Sequence, residues 1–349
     1  MNNIVVFSES FFPSLGGLER NTNSLCLALL ELGYRVQLLT FTNAKSQADY
    51  WPYVVKRIEK RTELIKEVKR SDFIIVNGGI SLKVLLPSIL FRKKYAIIYQ
   101  TSSLHIRDGK SILTKINNAL RKWFVQKASI NIATSEFGRE QLSQFDKKSV
   151  SLLNPIDVDL EKLAPTLKSG IIEKKYDLLF AGRLIEGKGI FLLAKVISEL
   201  QRENSITFAV AGDGSDKEKF FHYCNTIKTN FEYLGILDKE SLLSAYISAK
   251  LLIVPSTTHV EGSPLVIAES IYLGTPVIVS NQPAMLNAIG KAGDFFITGN
   301  EDSLKDCIAA NLLNRNKLQT ITVNCKEEAD RFSFSNYKDK IAAILLKVK

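Results

Sequence analysis

Short apolar runs recur along this chain of 349 residues, each bounded by glycine, proline or polar residues and most followed by a stretch of helical period. Ile4–Phe7, Arg35–Thr40, Phe73–Val76, Tyr95–Tyr99, Ile130–Thr134 and Val150–Leu153 form a first series. Leu178–Ala181, Ile206–Ala211, Phe231–Gly235, Ala249–Val254 and Thr275–Ser280 form a second. Strands buried on both faces read as unbroken apolar runs, and parallel neighbours need a helical crossover between them. The pattern confines the chain to an α/β fold of two Rossmann-like, doubly wound domains facing across a cleft. The expected domains are 1–165 and 166–331, with Glu161–Pro165 as linker and 332–349 as a last helix.

Ligands of such sheets bind beyond the carboxyl ends of the strands. The stretch Val254-Pro-Ser-Thr-Thr-His-Val-Glu261-Gly262-Ser263-Pro264-Leu265-Val-Ile-Ala-Glu269 offers such a place. Gly262 lets a ligand approach the backbone, Ser263 is a good N-cap, and Pro264 suits the first helical position. The helix start then aims unpaired N–H groups and a partial positive charge at the loop. Glu261 and Glu269 flank that tip, which suits a ligand with hydroxyls at both ends and phosphates between. An ordinary strand–loop–helix with one surface and one helical carboxylate has the same pattern. A second loop, Gly182-Arg183-Leu-Ile-Glu-Gly187-Lys188-Gly189, sets two cations among three glycines at another strand end, as a diphosphate requires.

The first loop carries Gly16 and Gly17 before a long helix that ends near Gly33. Its glycines are adjacent and late, so it is not the G-x-G-x-x-G dinucleotide fingerprint; it can hold a phosphate or simply make a tight turn. Asp157-Val-Asp159 could bind a divalent metal, but no other carboxylate cluster supports it, so no metal site is expected. Cys26, Cys224, Cys307 and Cys325 are widely spaced and read as reduced, mostly buried thiols of a cytosolic protein. No apolar run reaches the ~20 residues of a membrane span, and the chain opens on a strand rather than a signal peptide.

The charge is lopsided. Residues 1–165 carry 24 lysines and arginines against 15 acids, a surplus of +9, and the rest of the chain carries +1. That asymmetry points to an anionic partner for the first domain. A helix is expected over 110–127, with an apolar stripe of Ile112, Leu113, Ile116, Leu120, Trp123 and Phe124 among Lys115, Arg121, Lys122 and Lys127. Packing of the stripe on the sheet is the favoured reading; a basic amphipathic helix with tryptophan can also lie on an anionic membrane surface. Nucleic acid is not expected, because no recognised module or aromatic platform accompanies the charge.

Six motifs in order resemble the retaining GT-B glycosyltransferases of family four. They are Pro13-Ser-Leu-Gly-Gly-Leu-Glu-Arg20, Ser135-Glu136, Asn154-Pro-Ile-Asp157, Ala181-Gly-Arg-Leu184 with Lys188-Gly189, Ala211-Gly-Asp-Gly214, and Glu261-Gly-Ser-Pro-Leu with Glu269. The resemblance covers essentially the whole chain and implies that the last helix crosses back onto the N-terminal domain. It implies a donor nucleotide sugar in the C-terminal domain and a glycan or lipid-linked acceptor in the basic N-terminal one. Arg183 and Lys188 would hold the diphosphate, with Gly16 and Gly17 approaching it or the acceptor. Glu261 with Gly262, Ser263, Pro264 and Leu265 would hold the sugar and its phosphate. Glu269 would bind the ribose, and Gly235 and Ile236 would meet the base. No metal is implied, since cations and the helix dipole stabilise the departing diphosphate, and no close carboxylate pair of the glycosidase kind is needed. The sequence departs at one point: a histidine of the family at the end of the fourth strand corresponds to Gln100, and the nearest histidine is His105. Glutamine can hydrogen-bond a hydroxyl but takes no proton at neutral pH, so either Gln100 does the positioning, or the loop places His105 there, or the enzyme does without.

The expected activity is transfer of a sugar, from UDP more than from GDP, in surface polysaccharide or glycolipid synthesis at the inner membrane face. A nucleotide-sugar epimerase of the same fold would need general acid–base carboxylates in the cleft, and a non-catalytic nucleotide-sugar-binding protein would keep the donor residues alone.

Overall fold

The structure is a computed structural model that describes residues 2–14, 16–43, 50–100, 111–146, 148–168 and 173–348. The chain forms two compact units: Met1–Asp157 with Phe334–Lys349, and Val158–Ser333.

The first unit is built on strands β1 (Asn3–Ser8), β2 (Arg35–Thr40), β3 (Val54–Arg57), β4 (Phe73–Asn77), β5 (Lys94–Tyr99), β6 (Ile130–Ala133) and β7 (Ser149–Ser151). All pair in parallel in the order β3-β2-β1-β4-β5-β6-β7. The crossovers include helices α1 (Gly17–Glu31), α2 (Arg61–Arg70), α3 (Leu82–Leu90), α4 (Ile112–Lys127) and α5 (Glu136–Ser143). Strand order reverses between β1 and β4, which makes the loops after these strands the switch point where such sheets bind ligands. The chain's last helix, Phe334–Leu346, belongs to this unit. Lys338 reaches Glu31 at the end of α1 (2.7 Å), and Lys94 donates to the Val348 carbonyl.

The second unit holds β8 (Tyr176–Ala181), β9 (Phe208–Ala211), β10 (Glu232–Gly235), β11 (Ala249–Val254), β12 (Val277–Ser280) and β13 (Gly293–Phe296), parallel in the order β10-β9-β8-β11-β12-β13. Its helices are α6 (Val158–Lys168), α7 (Ile190–Glu203), α8 (Lys217–Ile227), α9 (Lys239–Ser248), α10 (Leu265–Leu273), α11 (Pro283–Ile289), α12 (Glu301–Leu312) and α13 (Arg315–Glu328). Leu251, Leu252 and Ile253 of β11 are wholly buried, each contributing about 2 kcal/mol through burial. Here the order reverses between β8 and β11, so the arginine–lysine loop and the Glu261 loop flank one switch point.

Four expectations need correction. The linker over Glu161–Pro165 is helix α6, tied into the second unit by Lys239 to Asp159 (2.8 Å); the break falls at Asp157. Strands β3 and β13 escaped detection because Val54-Val-Lys-Arg57 and Gly293-Asp-Phe-Phe296 are not apolar runs, which a sheet edge permits. Helix α10 begins at Leu265 with Pro264 at the cap, and no side chain caps it, so Ser263 is not the N-cap. The stripe on α4 does not pack on the sheet. Ile112, Leu113, Ile116, Leu120 and Trp123 are exposed, the first two by more than three-quarters, and only Phe124 and Val125 of this helix are buried.

Candidate active site

The switch point of the second unit is assembled from backbone upward. After β8 the chain makes a 3-10 turn, Glu186–Lys188, and Gly189 takes φ +75° before α7 begins. A Cβ there would stand 1.9 Å from the Pro255 carbonyl oxygen. Only glycine lets this turn press against the end of β11. The Gly187 carbonyl accepts from the backbone N–H groups of Thr257 (2.9 Å) and His259 (3.1 Å), which fixes one loop on the other.

That contact carries Lys188 to Glu261. Lys188 Nζ lies 2.5 Å from Glu261 Oε1, with side-chain exposures of only 17% and 7%. The same oxygen accepts from the buried Ser256 hydroxyl at 2.7 Å. Gln282, the residue after β12 and its turn, closes the far side. Its Oε1 accepts from the Glu261 N–H (3.1 Å), and its Nε2 donates to the Ser256 and His259 carbonyls (3.1 Å each). Ser280 donates to the Ser256 carbonyl at 2.6 Å. The carboxylate is thus a fixed anion beside a cation, at the mouth of α10 with its uncapped first turn. Gly262, Ser263 and Pro264 lead from Glu261 to Leu265 at the start of α10, Gly262 buried and the others half-buried, and Arg183 is exposed at the end of β8.

His259 completes the cluster. Its Nε2 is 4.0 Å from Glu261 Oε2. Burial first, then the Lys188 cation and more weakly Arg183, hold the imidazole below the ordinary histidine range against the pull of Glu261.

The remaining residues expected on the donor side take distinct places. Glu269 is 1% exposed and accepts from the buried Tyr246 hydroxyl at 3.1 Å, so its carboxylate faces the interior of the unit. Gly235 has φ +70° and its carbonyl accepts from the Gly212 N–H, while Ile236 beyond it is 77% exposed. Base-facing contact by Ile236 is sterically open, and the Tyr246 bond occupies one acceptor position of the Glu269 carboxylate.

In the first unit Gly16 holds an extended backbone just before α1, whose first helical residue is Gly17. The space a Gly16 side chain would take is filled by Glu19, whose Oε2 lies 2.6 Å from the Cβ position and whose Oε1 accepts from Ser10. Gln100 enters a ring of carboxamides. Its Nε2 donates to Asn21 (2.7 Å) and Asn77 (2.8 Å), and its Oε1 accepts from Asn154 (3.0 Å). Asn21 in turn donates to Asn154, and Asn77 to Asn21 and Thr22. Gln100 is therefore spent on holding the ends of β4 and β5 and the Asn154 segment together, with three of its four hydrogen-bond positions filled. His105 lies outside the described residues. Among the described residues no group of three or more metal-ligating side chains gathers, and no described helix is long and apolar enough to cross a membrane.

Ser256, His259, Gln282, Glu19 and Tyr246 were not singled out from the sequence. Ser256 and His259 had a signal, since they lie in the loop of Glu261. Gln282 had none, because its role depends on β12 lying beside β11.

Residues 167–328 match the family model described as glycosyl transferases group 1. An uncharacterised glycosyltransferase of Haemophilus influenzae is 25% identical over 288 residues, 77% of this chain and 78% of that one. The alpha-monoglucosyldiacylglycerol synthase of Streptococcus pneumoniae is 25% identical over 332 residues, 82% of this chain and 73% of that one. Among solved structures, HepE of Anabaena, in complex with UDP and glucose, superposes with a TM-score of 0.75 at 17% identity over 99% of each chain. Residues 167–328, most of the second unit, thus match the glycosyl transferases group 1 family, and the chain as a whole shares the two-unit fold of that solved structure.

Proposed function

We propose that this chain moves a sugar from a nucleoside-diphosphate sugar, UDP more than GDP, to a glycan or lipid-linked acceptor with retention, in surface polysaccharide or glycolipid synthesis. The observation that carries the proposal is Lys188 held on buried Glu261 at the β8/β11 switch point, beside Arg183 and the uncapped start of α10. Lys188, Arg183 and the first amides of α10 meet the charge that grows on the departing diphosphate. Glu261, fixed by Ser256 and Gln282, accepts from donor-sugar hydroxyls. Attack comes from the face the leaving group vacates, with its phosphate taking the acceptor proton, so no second carboxylate is needed. The UDP bound to the Anabaena relative supports a uridine donor, and the Streptococcus relative's name supports a diacylglycerol-type acceptor.

The test is thermal stabilisation by UDP, GDP, CMP and NAD, for wild type and Lys188→Ala. A ligand at a hundred times its dissociation constant adds about 2.7 kcal/mol. A shift from one nucleoside diphosphate that disappears in the variant supports the donor site; no shift from any of the four refutes it. Transfer from the matching sugar nucleotide is expected to persist in EDTA, since the cations do the electrostatic work. An epimer formed from the donor alone would instead support the isomerase reading.

The acceptor side is proposed to work at an anionic membrane surface, cytoplasmic and peripheral. The support is the exposed stripe of α4 together with exposed Lys115, Lys122 and Lys127. Flotation with phosphatidylglycerol vesicles tests it. Ile112→Ser with Leu113→Ser, both at exposed positions, should abolish binding without lowering the melting temperature. Equal binding by the variant refutes this part.

A further inference from the structure

The transfer chemistry above uses Lys188, Arg183 and Glu261 and leaves His259 without a part. The backbone of His259 is nonetheless pinned on both sides. Its backbone N–H donates to the Gly187 carbonyl, its carbonyl accepts from Gln282, and its ring stands 4.0 Å from Glu261. A third of its side chain stays open to solvent, so a proton can reach it.

Resting on the donor-site reading, we propose that His259 couples donor binding to proton uptake: the imidazole is neutral in the empty site and takes a proton from solvent when a diphosphate settles against Lys188 and Arg183. The charged groups facing it are Lys188 on the β8 turn, Arg183 at the end of β8, and Glu261 on its own loop. With the site empty, two cations oppose protonation and one anion favours it. A bound diphosphate brings negative charges onto those cations, and the balance reverses. The protonated ring then adds a third cation to the leaving group's surroundings at the moment charge develops there, and releases its proton when the diphosphate departs. Burial and the cations together already hold the free imidazole low, which leaves room for a rise on binding.

Linkage fixes the sign. A group whose pKa rises on binding makes affinity grow as pH falls from the bound pKa toward the free one, by about tenfold for each unit of difference. UDP-glucose and GDP-mannose are the probes, because a diphosphate esterified at both ends keeps a constant charge near neutrality. Titration calorimetry at about pH 7 in phosphate and in Tris gives the number of protons exchanged, from the dependence of heat on buffer ionisation. Wild type should take up a substantial fraction of a proton and bind more tightly at about pH 6 than at about pH 8. His259→Gln should bind with no uptake and a flat pH profile. His259→Lys, charged throughout, should bind at about pH 8 as tightly as wild type does at about pH 6. Uptake and pH slope that survive unchanged in His259→Gln, or that are absent in wild type, overturn the proposal while leaving the donor site intact. Binding of neither probe to wild type refutes the donor site and this proposal with it.

Discussion

Lys188→Met removes the cation of the second unit's site and keeps most of the aliphatic stem. Glu261 then keeps the Ser256 hydroxyl at 2.7 Å but loses its ion-pair partner, in a residue only 6% exposed. Breaking a buried pair from one side costs about 3–5 kcal/mol, since the surviving charge stays buried. The Lys188 side chain is 17% exposed and His259 stands 4.0 Å away to take a proton, which places the loss at the lower end, about 3 kcal/mol. In a unit of this size each kcal/mol moves the midpoint by about 2–4 °C, so its calorimetric transition should fall by about 6–12 °C. Lys188→Met with Glu261→Gln removes both charges and keeps an acceptor for Ser256. It should regain about half of the loss, with a coupling energy of about 1–3 kcal/mol in the double-mutant cycle. Neither protein should be stabilised by a nucleoside diphosphate. A single variant that melts within about 1 °C of wild type refutes the claim that the pair is energetically buried. A double variant that melts lower by the sum of the two single losses refutes the coupling.

Gly189→Ala forces a Cβ to within 1.9 Å of the Pro255 carbonyl at φ +75°, so the turn must move off β11; a loss of about 3 kcal/mol or more is expected with loss of nucleotide binding, and normal binding refutes the pinning of the two loops. Asp177 is raised by its burial but held below the usual carboxylate range overall by Lys250 (2.7 Å) and the Thr207 amide and hydroxyl. A carboxylate lowered in the folded state stabilises above its unfolded pKa and loses that contribution as pH falls through the folded one. Asp177→Asn should therefore cost about 2 kcal/mol at neutral pH, with the gap closing below about pH 4; a gap constant into acid refutes the assignment. Gln100→Ala leaves Asn21, Asn77 and Asn154 with unmet groups at the ends of β4 and β5 and should lower the first unit's stability by about 2 kcal/mol. Transfer lost without any fall in that transition would show that Gln100 acts on substrate rather than on the ring.

The fold was legible because parallel strands buried on both faces write themselves as apolar runs. Every strand except β3 and β13 was visible; these two lie at sheet edges, where a polar half is tolerated, and theirs broke the apolar run. The α6 segment misled for a related reason. Its Pro165 reads as a helix breaker, yet it sits inside a helix, where the tertiary contacts of Asp159 and Glu161 with α9 and α10 outweigh local preference. The α4 stripe misled in the opposite direction. Apolar spacing states that a helix has one greasy face but not what covers it, and here the sheet takes only Phe124 and Val125.

The site divides in the same way. Glu261, Arg183 and Lys188 could be read because each sits in a loop after an apolar strand, and a cation among glycines is a local pattern. That Lys188 meets Glu261, 73 positions away, could not be read locally. It follows from β8 and β11 being neighbours, which is a property of strand order. The same order brings Gln282 under Glu261, because β12 lies next to β11, and sets Tyr246 against Glu269, because α9 precedes β11 and packs on α10. The residues proposed to meet substrate are thus announced by their loops, while residues that hold them are distributed among neighbouring strands and carry no local mark. His259 falls between the two classes. It lies in the announced loop, but only its backbone partners across the switch point, Gly187 on one side and Gln282 on the other, hold it beside Lys188 and Glu261. A histidine so fixed can answer to the charge of whatever occupies the site, which a histidine in a free loop cannot do.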